Sequence, residues 1–140
     1  MTLPLEGSKT MTALEAADSL TPDMRRDFAV VVPAYNEAPV VPELIGALKD
    51  AFRKYSLEGE VILVDDGSHD GTGDLAEELG AGWDNLRVLR HRVNLGKTEA
   101  LVTAAEATER TYLVLFDADL QHLPEEIPRF LAKLQEDWDM

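Results

Sequence analysis

Four apolar runs, each cut off by a polar cluster and each followed by a stretch with helical spacing, constrain this chain more than any other feature. Phe28, Ala29, Val30, Val31 and Val32 form a β-branched run that Pro33 stops, and runs at residues 60–64, 86–90 and 111–116 repeat the pattern. The first of these, an uninterrupted apolar run, reads as a strand buried on both faces, and the other three as further strands. Between them, Leu44, Ile45, Leu48, Phe52 and Tyr55 recur at helical spacing after Pro39 and Pro42, and Leu75, Ala76 and Leu79 open a second helix that Gly80 and Gly82 end. An alanine-rich helix over 98–110 brings Ala100, Ala104, Ala105 and Ala107 close to a sheet, and Pro124 begins a last helix with Ile127, Leu131 and Leu134 inward. Such a regular β-α alternation predicts an α/β fold with a parallel sheet, right-handed connections and helices on both faces.

Residues 28–140 are therefore expected to form one α/β domain. Residues 1–27 are expected to be an extension, either disordered or carrying one short helix over 10–19 with Met11, Leu14 and Ala17 on one side. A formal net charge of −14 argues against nucleic acid as a partner, because no basic patch is segregated to offset it. Arg87, Arg90 and Arg92 read as a solvated edge, and the absence of cysteine excludes disulfides and thiolate metal sites. No run approaches the roughly 18 apolar residues that a membrane-spanning helix needs.

In open parallel sheets ligands bind beyond the carboxyl ends of the strands, and every polar cluster of this chain falls there. The fourth run ends in Asp117-x-Asp119-x-Gln121, hard oxygen donors that suit magnesium or manganese. Asp-x-Asp alone says little, since Asp137-x-Asp139 repeats it after charged helix residues, where it reads as a surface feature. Asp65 and Asp66 end the second run, with Gly67 supplying a tight turn. Asp66 is suited to accept from a nucleobase, Asp65 to a supporting role, and Asp70 or Thr72 to capping the next helix. Tyr35 and Glu37, in the loop after the first run, can hold a base or ribose between an aromatic ring and a carboxylate. Lys97, near a helix start after Asn94 and Gly96, is placed for a diphosphate or simply belongs to a turn. His69 and His91 read as surface residues, and His122 either assists the metal motif or enters the last helix.

Taken in order, Pro33-Ala-Tyr-Asn-Glu37, Val64-Asp-Asp-Gly-Ser-His-Asp70, Asn94-Leu-Gly-Lys97 and Asp117-Ala-Asp-Leu-Gln-His122 resemble the family 2 inverting glycosyltransferases, above all the dolichyl- or polyprenyl-phosphate mannose and glucose synthases. The resemblance implies the Rossmann-like GT-A fold, here its donor-binding half, a nucleotide-diphosphate sugar and a Mg2+ or Mn2+ ion. It implies that Pro33, Tyr35, Glu37, Val64 and Asp66 contact the nucleoside, and that Asp117, Ala118, Asp119 and Gln121 contact the diphosphate. Asp117, Asp119 and Gln121 would hold the metal, with Asp117 and Asp119 the catalytic pair. The implied reaction moves a hexose from GDP-mannose or UDP-glucose to a polyprenyl or dolichyl phosphate with inversion. The expected location is the cytoplasm or the cytoplasmic face of a membrane, reached only through the acceptor or through segments beyond Met140. The alternatives are a soluble family 2 enzyme acting on a small phosphorylated acid or a polysaccharide, an inactive fragment that only binds nucleotide, and a phospho-receiver-like domain.

Overall fold

The computed structural model describes residues 11–118 and 123–138. Strands β1 (Phe28–Ala34), β2 (Glu60–Asp66), β3 (Leu86–His91) and β4 (Tyr112–Leu115) form one parallel sheet in the order β3-β2-β1-β4. Helix α2 (Val41–Lys54) joins β1 to β2, α3 (Thr72–Leu79) joins β2 to β3, and α4 (Lys97–Ala107) returns from β3 across the sheet to β4. A short α1 (Ala13–Asp18) precedes the sheet and α5 (Glu126–Trp138) follows it. Among the described residues, no helix is long and apolar enough to cross a membrane.

The unbroken apolar runs are explained by cover on both faces of the two central strands. On one face Val30, Val32, Val61 and Leu63 pack against Leu44, Leu48 and Phe52 of α2 and Ile127 and Leu131 of α5. Phe52 carries this layer outward, its ring 5.9 Å from that of Phe28 and 5.5 Å from that of Trp83. On the other face Ala29, Val31, Ile62 and Val64 meet α4 through Ala100 and Ala104, both fully buried. A methyl group is the largest side chain these two positions take without pushing the helix off the sheet.

The strand boundaries depart from the sequence expectation at the end that matters. The run was expected to stop at Pro33, yet β1 continues through it to Ala34, with Pro33 opposite Val64 and Ala34 opposite Asp65. In a parallel strand alternate residues bond to the same neighbour, and the carbonyl of Val31 accepts from Phe116 on the β4 side. The missing amide of Pro33 therefore faces β4, whose pairing with β1 has already ended at Val31 and Leu115. No ladder bond is lost, which is how a proline sits in a central strand. Beyond Val31 the sheet holds together between β1 and β2 and parts between β1 and β4.

Of the expected extension, residues 11–27 pack onto this domain, while residues 1–10 lie outside the described residues. Thr12 and Glu15 form a reciprocal capping box that starts α1. The inward side differs from the expected one: Ala16, Ala17, Leu20 and Met24 are buried, whereas Met11 and Leu14 are exposed. Helix α1 packs against α5 through the side that carries Ala16 and Ala17, and just after it Gln135 accepts from the amide of Thr21 and donates to the carbonyl of Ser19. Arg25 then clamps the segment by donating to the carbonyls of Ala17 and Tyr55.

The close approach of α4 is open to a packing test. Ala104→Leu is expected to cost about 1–3 kcal/mol in urea unfolding through overpacking, while Val102→Ala on the exposed side of the same helix stays within about 0.5 kcal/mol.

Candidate functional site

The strand order reverses between β1 and β4, since the chain runs outward through β2 and β3 and then crosses back over the sheet. In a doubly wound sheet the carboxyl ends of the strands beside such a reversal are the usual ligand position. Pro33, Tyr35 and Glu37 lie at or just after the end of β1, Val64 and Asp66 at the end of β2, and Asp117 and Ala118 just after β4. The structure thus brings these sequence-predicted residues to one end of the sheet. Asp119, Gln121 and His122 lie outside the described residues, as does Asp139 of the second Asp-x-Asp.

Exposure separates the predicted residues into two kinds. Tyr35 is 44% exposed and Glu37 is half-buried, so their side chains are available to a ligand. Pro33, Val64 and Ala118 are buried, Val64 completely, so their side chains are closed to a ligand.

The loop that carries Tyr35 and Glu37 is held by the turn after β2. The amide of Asn36 donates to the hydroxyl of Ser68 at 2.8 Å, and the Asn36 side chain accepts from the amide of His69 at 2.9 Å. The Glu37 amide donates to the Thr72 hydroxyl at 2.9 Å, and the Ala38 amide to Asp70 at 3.1 Å. Asp70 also accepts from the Thr72 amide at the first residue of α3, but the N-cap of that helix is Gly71 and it has no side-chain cap, so the capping expected of Asp70 or Thr72 is corrected to a brace between two loops. The hydroxyl of Thr72, supported by the amide of Ala38, holds the Asp70 carboxyl below its ordinary value. Behind this turn Asp65 accepts from the Ser68 amide at 3.0 Å.

Asp66 is the hub of the other side. Its Oδ1 accepts from the amide of Leu95 at 2.9 Å and faces His91 Nδ1 at 2.7 Å, while its Oδ2 accepts from the amide of Gly96 at 2.9 Å and from Asn94 Nδ2 at 3.1 Å. A carboxylate offers about four lone-pair sites, so Asp66 is saturated. Burial works against its charge, but the hydrogen bonds from His91, Leu95 and Gly96 outweigh it and hold the carboxyl below its ordinary value of 3.8. Gly67 allows the contact: its φ is +77°, and a Cβ there would lie 2.4 Å from the backbone carbon of Val93. The expectation that His91 is a surface residue is overturned, since its side chain is 8% exposed. Its polar type hid the fact that α4 passes over it on the way back to β4. His69 is exposed, as expected.

Lys97, the first residue of α4, completes the arrangement by placing Nζ 3.0 Å from Asp117 Oδ1. The lysine is 69% exposed and the aspartate 22%, so the pair adds little to stability. Its importance is positional, because a cation already occupies the outer side of the carboxylate that ends β4. That carboxylate is a hard donor at a strand end and fits a divalent ion by type. Among the described residues, no group of three or more acids or histidines is gathered as a ready-made cage.

The class these features define is a Rossmann-like α/β domain whose strand order reverses between β1 and β4. Residues 29–140 match the glycosyl transferase family 2 model, and the chain belongs to that family. Undecaprenyl-phosphate 4-deoxy-4-formamido-L-arabinose transferase of Aeromonas hydrophila is 38% identical over 114 residues, 80% of this chain and 35% of the relative. The enzyme of that name from Proteus mirabilis is 35% identical over the same shares of the two chains. The chain thus spans about a third of the length of these curated relatives. Among solved structures, a mannosyltransferase of Pyrobaculum calidifontis in complex with GDP-Man and Mn2+ superposes with a TM-score of 0.67 at 28% identity, over 83% of this chain and 35% of that one. The glucosyl-3-phosphoglycerate synthase of Mycobacterium tuberculosis, in complex with Mn2+, UDP and phosphoglyceric acid, gives 0.64 at 27% identity, over 87% and 41%. The architecture is that of the GT-A glycosyltransferases, of which the chain carries the donor-binding half.

Saturation of Asp66 sets a pH dependence. Because its folded pKa lies below 3.8, its contribution is present above pH 3.8 and is lost as pH falls through the lower folded value. Asp66→Asn is expected to cost about 1–3 kcal/mol near neutral pH. In chemical unfolding followed from pH 7 down to pH 3, the gap between variant and parent should narrow below about pH 4.

Proposed function

We propose that residues 28–140 are the donor-binding part of an inverting glycosyltransferase that moves a sugar from a nucleotide diphosphate to a polyprenyl phosphate. The observation that carries this reading is the gathering of four polar clusters at the carboxyl ends of one parallel sheet, beside the β1/β4 reversal, with Lys97 of α4 paired to Asp117 after β4. The names of the sequence relatives support the acceptor class, and the nucleotide-bound structural neighbours support the donor class. The donor is a hexose carried by GDP or UDP, with a 4-formamido-arabinose as the variant that the relatives' names bring in.

In this reading Tyr35 and Glu37 take the nucleoside with their side chains, and Pro33 and Val64 shape the pocket with their backbone. Asp66 reaches the base by exchanging its longest bond, that from Asn94 Nδ2, for a donor on the ligand. Asp117 and Ala118 border the diphosphate, with Asp119 and Gln121 following in sequence. Lys97, at the start of α4, turns from Asp117 to the phosphates. Asp117, Asp119 and Gln121 are the residues that would hold a magnesium or manganese ion, whose chemistry is to neutralise charge on the departing diphosphate. A lipid phosphate is already an anionic nucleophile: one of its oxygens bonds to the anomeric carbon from the face opposite the leaving group. The carbon–oxygen bond to the diphosphate breaks, its electron pair leaves on the nucleotide, and the configuration inverts. No general base is required for such an acceptor.

Calorimetric titration of the folded chain with GDP-mannose, UDP-glucose and a nucleotide-linked 4-formamido-arabinose, with Mn2+ and then with chelator, tests this. One of these donors should bind in Mn2+ and weaken at least about tenfold, near 1.4 kcal/mol, on chelation or in Asp119→Ala. A natively folded chain that takes none of them, or takes them equally without metal, would remove the reading.

A further inference from the structure

His91 lies at the end of β3 and does more than fill space under α4. Its imidazole is 8% exposed and joins two elements: Nδ1 stands 2.7 Å from Asp66 Oδ1 at the end of β2, and Nε2 stands 2.7 Å from the Thr103 hydroxyl on α4. A charged carboxylate only accepts, so Nδ1 is the protonated nitrogen facing Asp66. Nε2 bonds to the Thr103 hydroxyl, so both ring nitrogens have a partner.

Helix α4 is consequently tied to the end of β2 at two points. One is the turn before the helix, where the amides of Leu95 and Gly96 donate to Asp66. The other is Thr103, two helical turns or about 10 Å further along, which reaches the same carboxylate through His91. One tie would leave a helix free to slide or roll, and two fix both its axial position and its rotation. What that fixes at the strand ends is Lys97, which begins α4 next to Gly96 and points its ammonium at Asp117.

We infer that His91 and Thr103 are positioning residues of the donor site, holding Asp66 and α4 in register so that the turn at 94–96 and Lys97 face the diphosphate. The affinity arm of this inference rests on the donor-binding reading above, and the backbone arm does not. A buried histidine that merely packs would stabilise the whole domain evenly. A positioning pair acts first on the two amides that Asp66 receives.

The test is residue-resolved hydrogen exchange on the 140-residue chain, with Thr103→Val, Thr103→Ser and His91→Leu compared with the parent. Thr103→Val and His91→Leu should speed exchange at Leu95 and Gly96 by about tenfold or more, leaving Val31 and Ile62 in the central strands unchanged. Thr103→Ser, which keeps the hydroxyl, should exchange like the parent. Donor affinity in Mn2+ should fall about three- to tenfold in Thr103→Val and recover in Thr103→Ser. Should His91→Leu fail to fold, the two threonine variants still decide the matter. Equal acceleration at all four amides would make the pair a packing feature and overturn the inference, as would unchanged exchange at Leu95 and Gly96. Local acceleration with donor affinity intact would overturn the role at the donor site. If even the parent chain binds no donor, the functional reading fails by itself, and the exchange pattern still decides whether His91 and Thr103 hold the turn.

Discussion

Everything in this domain depends on a complete hydrogen-bond ladder along a strand from which water is excluded on both faces. Every residue of β1 is buried, so each of its amides and carbonyls needs a partner within the sheet. Parallel neighbours on both sides meet that need, and the crossovers that parallel pairing demands put helices on both faces. On the β4 side the pairing of β1 ends at Val31, and there Pro33 has no amide to leave unpaired. The residues of the candidate site on β1 and β4 follow directly on the place where that pairing stops.

A strongly acidic chain could be expected to gather its carboxylates as metal ligands. At the strand ends the backbone uses most of them instead. Asp65 receives the Ser68 amide, Asp70 receives the amides of Ala38 and Thr72, and Asp66 receives Leu95 and Gly96. Asp70 and Asp66 each fasten one loop to another, while Asp65 closes the turn that follows β2, so the two adjacent aspartates have different tasks. Amide donors compensate a buried carboxylate without a counter-ion, so negative charge is kept at the loop bases. Asp117 is different: its described partner is the Lys97 ammonium, a mobile and exposed group that a ligand can displace.

The strands were legible because double-sided burial writes an unmistakable run of Val, Ile and Leu, and the position of the site followed from parallel topology. The inner face of α2 was legible from its spacing, as Leu44, Leu48 and Phe52 show. What escaped depends on contacts distant in sequence. His91 reads as polar and solvated until α4 returns over β2 and β3. Pro33 reads as a stop unless the parting of β4 is known. Leu14 reads as inward because a short helix of six residues has too few turns to define a face before its partner α5 arrives. The saturation of Asp66 was equally hidden, since three of its donors come from a turn about 30 residues away whose sequence is ordinary.

The comparisons divide along the same physical line. Structures crystallised with GDP-Man or with UDP and phosphoglyceric acid share this half with a chain whose sequence relatives are named for undecaprenyl phosphate. Guanine, uracil and quite different acceptors are therefore compatible with one sheet, and the fold by itself selects none of them. What this part of the fold does set is the pairing of Lys97, which follows the 94–96 turn, with Asp117 after β4. The side chains near these strand ends that stay exposed are those of Tyr35 and Asn94, with Glu37 half-buried. The backbone next to them is bonded, through the amides of Asn36, Glu37 and Leu95, to side chains at the end of β2 and in the turn after it, so substitution at these positions leaves the ladder beneath undisturbed.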